Sequence, residues 1–208
     1  MALPARSTDA SEPVSSHDRI LNSAKQLFAS RGYENTSTVA IARMAGTSES
    51  QLMKHFGSKE GLLEAIFDQG WERMGSMLRS IHDLPTPTEK LQGLLDLVLN
   101  GLERDPQLKE LLLLEGRRVR KEGRMVMLTK GYQDFVGMID SVLAEMRAGG
   151  QLRPDVNPQV VRSGFMGMFE GLLRDQILAQ RVGYPSVYST EEIRGMMSMA
   201  LAALRPQS

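Results

Sequence analysis

The sequence predicts an all-α fold, with three short N-terminal helices of helix-turn-helix type followed by six helices that make a C-terminal bundle. Three observations predict it. Apolar residues recur at the i, i+4, i+7 and i+8 spacing of one buried helical stripe, while strand-like alternation is almost absent. Hydroxyls, Asp and Asn repeatedly stand three positions before an acid or amide, or just before Pro, which is how helices start. Finally, the segment 36–60 sets two short helical stretches around Gly46, and a third start follows Phe56. In a helix-turn-helix, one helix braces across the DNA backbone and the next enters the major groove.

Taken in order, Ser15-x-x-Asp18 caps a first helix whose stripe is Ile20, Ala24, Leu27 and Phe28, and Gly32 ends it. Thr36 or Ser37 caps a second, with Ile41, Ala42 and Ala45 inward and Gly46 at its stop. Ser48-x-x-Gln51 fits a capping box for the third, anchored by Leu52 and Phe56. Ser58 caps a fourth, which carries Leu62, Leu63, Ile66, Trp71, Met74 and Leu78 until Pro85 closes the segment. Thr86-Pro87-Thr88-Glu89, Asp105-Pro106 and Asn157-Pro158 each open a helix with Pro in its first position, where the missing N–H is not needed. The segment from about Arg120 to Arg147 reads as one extended helix ended by Gly149-Gly150. Ser189-x-x-Glu192 opens the last helix, which runs to about Leu204. The expected organisation is a disordered polar tail (1–15), a helix-turn-helix domain (16–57) and a larger helical domain (58–208).

Composition narrows the function. With 41% apolar residues among 208, the chain can bury a real core, and 14 Met against 5% aromatics make that core aliphatic and adaptable. Cysteine is absent, which excludes disulfides, thiolate metal sites and cysteine nucleophiles, and fits a reducing cytoplasm. No apolar run approaches membrane-spanning length, and the first 15 residues lack the hydrophobic centre of a secretory signal. His17, His55 and His82 are too scattered for a metal site, and no phosphate- or dinucleotide-binding glycine pattern appears. We expect no enzyme, no cofactor and no metal. Net charge is zero, and between Ser16 and Ile66 six basic residues stand against five acids. Any DNA affinity must therefore come from local placement of charge and helix ends.

The stretch from Ile20 to Ile66 resembles the DNA-binding domain of the TetR/AcrR family of transcriptional regulators. The resemblance is carried by Ala24-x-x-Leu27-Phe28-x-x-x-Gly32-Tyr33, Ile41-Ala42-x-x-Ala45-Gly46-x-Ser48 and Leu52-x-x-x-Phe56-x-Ser58-Lys59-Glu60-x-Leu62. Two departures stand out: Met53 where the family commonly has Tyr, and Thr47 where a small aliphatic residue is usual. The remainder resembles the family only in helix number and length. The resemblance implies a homodimer on a pseudo-palindromic operator of double-stranded DNA, released when a small molecule enters the C-terminal bundle. Two rivals are a DNA-binding regulator without a small-molecule effector and an all-helical ligand-binding protein.

Helix N-termini present unpaired N–H groups and partial positive charge, so they hold phosphates. Ser48 and Ser58 stand at such starts, and the resemblance implies backbone contacts from Thr36, Ser37 and Lys59. In the third helix Ser50 is small enough for close approach, and Gln51 can pair bidentately with adenine. Lys54 and His55 are phosphate candidates, while Met53 is left to pack on sugar or a thymine methyl. The basic run from Arg117 to Arg124 reads as a solvated turn, with an approach to DNA as its alternative.

An apolar effector cavity is expected among Trp71, Met74, Leu94, Leu111, Met127, Tyr132, Phe135, Met138 and Phe165, with Tyr132 and Gln133 as its polar groups. Helix 157–181 carries Val161, Gly164, Phe165, Met168 and Leu172, with further small residues that admit a neighbouring helix. With Ile193, Met197, Ala200, Leu201 and Leu204 of the last helix these are the expected dimer face, as the resemblance implies.

Overall fold

Nine α-helices account for most of the computed structural model, which describes residues 15–206 apart from 121, 122 and 124. They are α1 (Ser16–Arg31), α2 (Thr38–Met44), α3 (Glu49–Phe56), α4 (Lys59–His82), α5 (Pro87–Arg104), α6 (Pro106–Glu115), α7 (Lys130–Ala148), α8 (Pro158–Val182) and α9 (Thr190–Ala202). Among the described residues no helix is long and apolar enough to cross a membrane. The expected tail lies outside the described residues except for Ser15, which caps α1 by accepting from the Asp18 N–H at 3.1 Å.

Local chemistry explains the starts. Ser37, Ser48 and Ser58 cap α2, α3 and α4, each accepting from the N–H three residues on. Thr86–Glu89 and Ser189–Glu192 form complete capping boxes, with hydroxyl and carboxylate each satisfying the other's backbone N–H. At α3 the box is only half built, because the Gln51 side chain turns to the Thr47 hydroxyl instead of the Ser48 N–H.

The largest departure from the sequence reading is between 116 and 129. The long helix expected from Arg120 begins only at Lys130, capped by Thr129. The described part of the connection is irregular, with an isolated antiparallel bridge between Val119 and Met125. Hydrophobic periodicity is not what ends the helix here. The arginines preceding it are drawn into separate ion pairs, described below, that a single helix face could not reach.

Two main cores result. The first packs Ile20, Phe28, Ile41 and Leu52 against Leu62, Leu63 and Phe67 of α4, and takes in Leu108 and Leu111 of α6 and Val126. The second gathers Trp71 and Met74 of α4 with buried residues of α5, α7, α8 and α9. One helix, α4, therefore runs through both. Gly131 lets α7 lie against it, since a methyl group there would collide with the Trp71 Cβ.

Candidate functional site

The three N-terminal helices present α3 outward. Leu52 is fully buried and Phe56 half-buried, whereas Glu49, Ser50, Gln51, Met53, Lys54 and His55 are exposed. Gly61 holds the α3–α4 junction tight, because a side chain there would strike the Phe56 carbonyl oxygen. The flanks of α3 are tied down on two sides. Thr38 of α2 donates to the Glu49 carboxylate. On the other side the Thr47 hydroxyl donates to Gln51 Oε1 at 2.6 Å, and Gln51 Nε2 donates to Ser16 Oγ at 3.4 Å. The His55 ring lies 3.4 Å from that same hydroxyl and edge-on to His17 at 5.8 Å. Thr47, a departure from the family pattern, thus pre-orients Gln51.

Two expected contact residues sit differently from the reading. Thr36 is 2% exposed and its hydroxyl donates to the carbonyls of Gly32 and Leu27, so it is a structural residue behind the exposed face. The α2 cap is Ser37, exposed at the surface. Lys59 is half-buried, with Nζ donating to the carbonyls of Tyr33 and Thr36 at 2.9 and 3.2 Å and lying 4.2 Å from the Tyr33 ring centroid. Its charge fixes the turn after α1 before it serves any ligand. Val39, Met44 and Arg43, all exposed on α2, were not singled out by the sequence reading. They share α2 with apolar core positions, so no simple pattern marks them.

The described part of the basic run is exposed at Arg117, Arg118, Val119 and Gly123, as a solvated turn would be, but Arg120 turns inward. Arg120 has an 8% exposed side chain, pairs with Glu115 at 2.7 Å and Glu34 at 3.3 Å, and places its guanidinium 3.9 Å from the Tyr33 ring centroid. Burial, with Glu60 nearby, holds the Tyr33 hydroxyl above its ordinary range near 10. Lys25 of α1 pairs with Asp105, the α6 cap, at 2.6 Å, and Arg181 of α8 donates to the Ala29 carbonyl at 3.0 Å. The run thus does approach the N-terminal domain, through ion pairs and ring contacts. Its residues 121, 122 and 124 lie outside the described residues.

Within the second core lies a cavity of about 130 Å³. Trp71, Leu94, Tyr132, Phe135 and Phe165 line it as expected. Four expected residues do not. Leu111 faces the opposite way, into the N-terminal core. Met74 packs beside Gly101 of α5, and Met127 fills the space at Gly116. Met138 lies off the Tyr132–Phe135–Ile139–Leu143 stripe that α7 turns to the cavity. Gln133 is exposed; the polar wall residues are instead Gln92, Arg162, Glu170 and Ser198, with the Tyr132 hydroxyl. Glu170 is buried and held by a two-point ion pair with Arg117, one arm at 2.7 Å. That pairing holds the Arg117 guanidinium above its usual range, and burial raises the Tyr132 hydroxyl beside it. Arg162 pairs with Asp140 of α7. The Trp71 indole Nε1 is buried with no protein partner, a state that costs about 1–3 kcal/mol.

The expected dimer face also needs correction. Ile193, at 1% exposure, Met197 and Leu201 are buried within the protomer, and Met197, Leu201 and Leu204 line the cavity. The outward apolar residues of α9 include Met196 and Met199, one helical step round. On α8, Val160, Gly164 and Gly167 are exposed, Val161, Met168 and Leu172 are half-buried, and open space lies above Gly164, Gly167 and Gly171. Ala200 is half-buried, and Phe165 lines both the cavity and a groove along the other side of α8. Both terminal helices are apolar on two faces, and composition alone does not say which face is internal.

A capped three-helix head with its third helix exposed, seated on a helical bundle with an internal cavity, defines a helix-turn-helix regulator. Residues 20–66 match the family model of bacterial regulatory proteins, tetR family. It is similar to the HTH-type transcriptional repressor KstR2 of Mycolicibacterium smegmatis, 28% identical over 152 residues, covering 73% of this chain and 74% of that protein. Its fold matches the fatty acid degradation regulator FadR from Bacillus halodurans with a TM-score of 0.78 at 21% identity, over 95% of this chain and 100% of that one. FadR from Bacillus subtilis, solved in complex with stearoyl-CoA, matches with a TM-score of 0.77 at 19% identity, over 89% and 97% of the two chains.

Proposed function

We propose that the protein is a homodimeric transcriptional repressor in the cytoplasm that binds a pseudo-palindromic operator and releases it when an apolar small molecule occupies the bundle cavity. The observation that carries this reading is α4. Its cap Ser58 abuts α3, its first turns build the N-terminal core, and Trp71 forms part of the cavity wall. A second link is α6, with Leu108 and Leu111 in the head and Leu112 and Leu113 against the cavity. A ligand that alters the cavity must therefore move helices to which the head is fixed.

In this reading residues 16–57 are the DNA-reading head, and 58–208 form the ligand-binding and dimerisation unit. Ser50, Gln51 and Met53 of α3 meet base edges. Lys54 and His55, with the caps Ser37, Ser48 and Ser58, stand toward phosphate, while Lys59 braces the turn behind them through the Tyr33 and Thr36 carbonyls. The exposed faces of α8 and α9 pair with their symmetry mates, since a two-fold dimer presents two heads to repeated half-sites. An acyl group is one ligand of the chemistry the cavity favours, and the similarity to the stearoyl-CoA-bound fold supports including it among the candidates. Selection of bound sequences from a random duplex pool tests the DNA half directly. The expected result is a site with two-fold symmetry; an asymmetric site, or no enrichment, contradicts it.

A further inference from the structure

Two arginines of the bundle meet the head where α1 ends, and both lead back to α8. Arg181, in the last turn of α8, donates to the Ala29 carbonyl at 3.0 Å and pairs with Glu110 of α6. Ala29 stands in the last turn of α1, where helix carbonyls run out of partners within their own helix, so α8 supplies a cap from a distant part of the chain. Arg120 holds the residues that follow. Its guanidinium lies 3.9 Å from the Tyr33 ring centroid and pairs with Glu34 at 3.3 Å, while Glu115 of α6 fixes it at 2.7 Å. Three residues earlier, Arg117 donates to both carboxylate oxygens of Glu170, at 2.5 and 2.7 Å. Glu170 belongs to α8 and lines the cavity.

The segment between these anchors works as a short strap. A guanidinium held at two points fixes direction as well as distance. Only Arg118 and Val119 separate Arg117 from Arg120, so the two anchoring Cα atoms stand no more than about 11 Å apart and little slack is left. The head end is equally closed. Lys59 lies 4.2 Å from the Tyr33 ring centroid and donates to the Tyr33 and Thr36 carbonyls. Thr36 directly precedes Ser37, the cap of α2. A shift of α8 against the head therefore falls on the turn from which α2 starts. Arg120 itself is too enclosed to reach a phosphate, so it holds the reading surface from behind.

We infer that Arg120 and Arg181 are positioning residues for DNA binding: they tie the α1–α2 turn to α8, so that the placement of this cavity-wall helix sets the placement of Ser37 and α2. The inference rests on the DNA-binding half of the reading above and needs no ligand. It adds a second route beside α4, one that enters the head at the end of α1.

Arg120→Gln, Arg181→Gln and Glu170→Gln each remove one tie and keep a polar side chain. Two quantities are read on the full-length protein, in conditions where urea curves show each variant folded. One is affinity for a duplex selected by the wild type, across a salt series. The other is amide exchange at Thr36, whose N–H donates to the Tyr33 carbonyl at 3.2 Å. Each variant should bind the duplex about 2- to 30-fold more weakly, keep the wild-type salt slope and exchange the Thr36 amide faster. Arg120→Gln combined with Glu170→Gln should lose no more than the larger single loss, because both cut one strap, whereas independent sites add. Additive losses overturn the inference. So does a reduced salt slope, which makes the arginine a phosphate contact instead. If Arg120→Gln does not fold, Glu170→Gln decides, since Glu170 lies outside the head: wild-type affinity and wild-type Thr36 exchange in that variant overturn the inference. A wild type that selects no duplex overturns the inference together with the proposed function. A wild type that selects one, with variants that match it, overturns the inference alone.

Discussion

The head and the bundle are both helical and both well buried, yet they are filled on different principles. In the head, Ile20, Phe28, Ile41 and Leu52 have almost no exposure, and each short helix is tied by a hydroxyl cap and by side-chain bonds to its neighbours. The bundle surrounds a cavity with Leu, Met and aromatic side chains, holds the buried Glu170 carboxylate in its wall by an ion pair to the exposed Arg117, and leaves an indole donor unpaired. On the proposed function, a rigid reader is coupled to a yielding sensor. On that proposal, α4 transmits a movement because one of its ends is set in a solid core and the other in one that gives.

The sharpest way to break this contrast is to truncate a side chain in each core. Phe28→Ala should cost about 3–5 kcal/mol in urea denaturation, because the head cannot collapse around the lost ring. Leu95→Ala, half-buried on the cavity wall, should cost about 1 kcal/mol, since space already adjoins it. Equal losses would mean that the two cores are packed alike. The junction comes next. Arg120→Ala leaves Glu115 without its close partner and uncovers the Tyr33 ring, and should cost about 2 kcal/mol, whereas the exposed Arg118→Ala should stay within about 0.5 kcal/mol.

On the DNA side, Gln51→Ala should lose about 1–3 kcal/mol at a single base and relax preference there, while Lys54→Ala should weaken every sequence alike and reduce the salt slope by about one unit. Uniform loss in both variants would remove Gln51 from base reading. The smallest effect concerns pH. Burial raises the Tyr33 hydroxyl above its ordinary value near 10, so the stability it protects is complete below that value and declines as pH rises past it. Tyr33→Phe should lessen that alkaline decline in a chemical denaturation series run across pH 9 to about 11. An unchanged profile would assign the decline to other groups.

Much of the head was legible in the sequence because its signals are local. Caps at Ser15, Ser48 and Ser58, the stripe on α1 and the stop at Gly32 depend on neighbours a few residues away. Thr36 was misplaced among the contact residues because a hydroxyl before a helix looks the same whether it faces water or, as here, two carbonyls of the preceding turn. The bundle was legible in helix number but not in facing. Ile193, Met197 and Leu201 form one apolar stripe on α9, Met196 and Met199 lie on another, and only the third dimension decides which one packs inside. The late start of α7 was hidden for the same reason. The partners that draw Arg117 and Arg120 out of a helix are Glu170, Glu34 and Glu115, two of them distant in sequence.

The central claim is that cavity and recognition helix are coupled through α4, and reciprocity offers its most direct test. Affinity for a cavity ligand is measured by the emission of Trp71, with the protein free and then saturated with its selected operator. The account predicts that operator weakens ligand binding by the same factor by which ligand weakens operator binding, roughly 5–150-fold. Equal ligand affinities in the two titrations would contradict it.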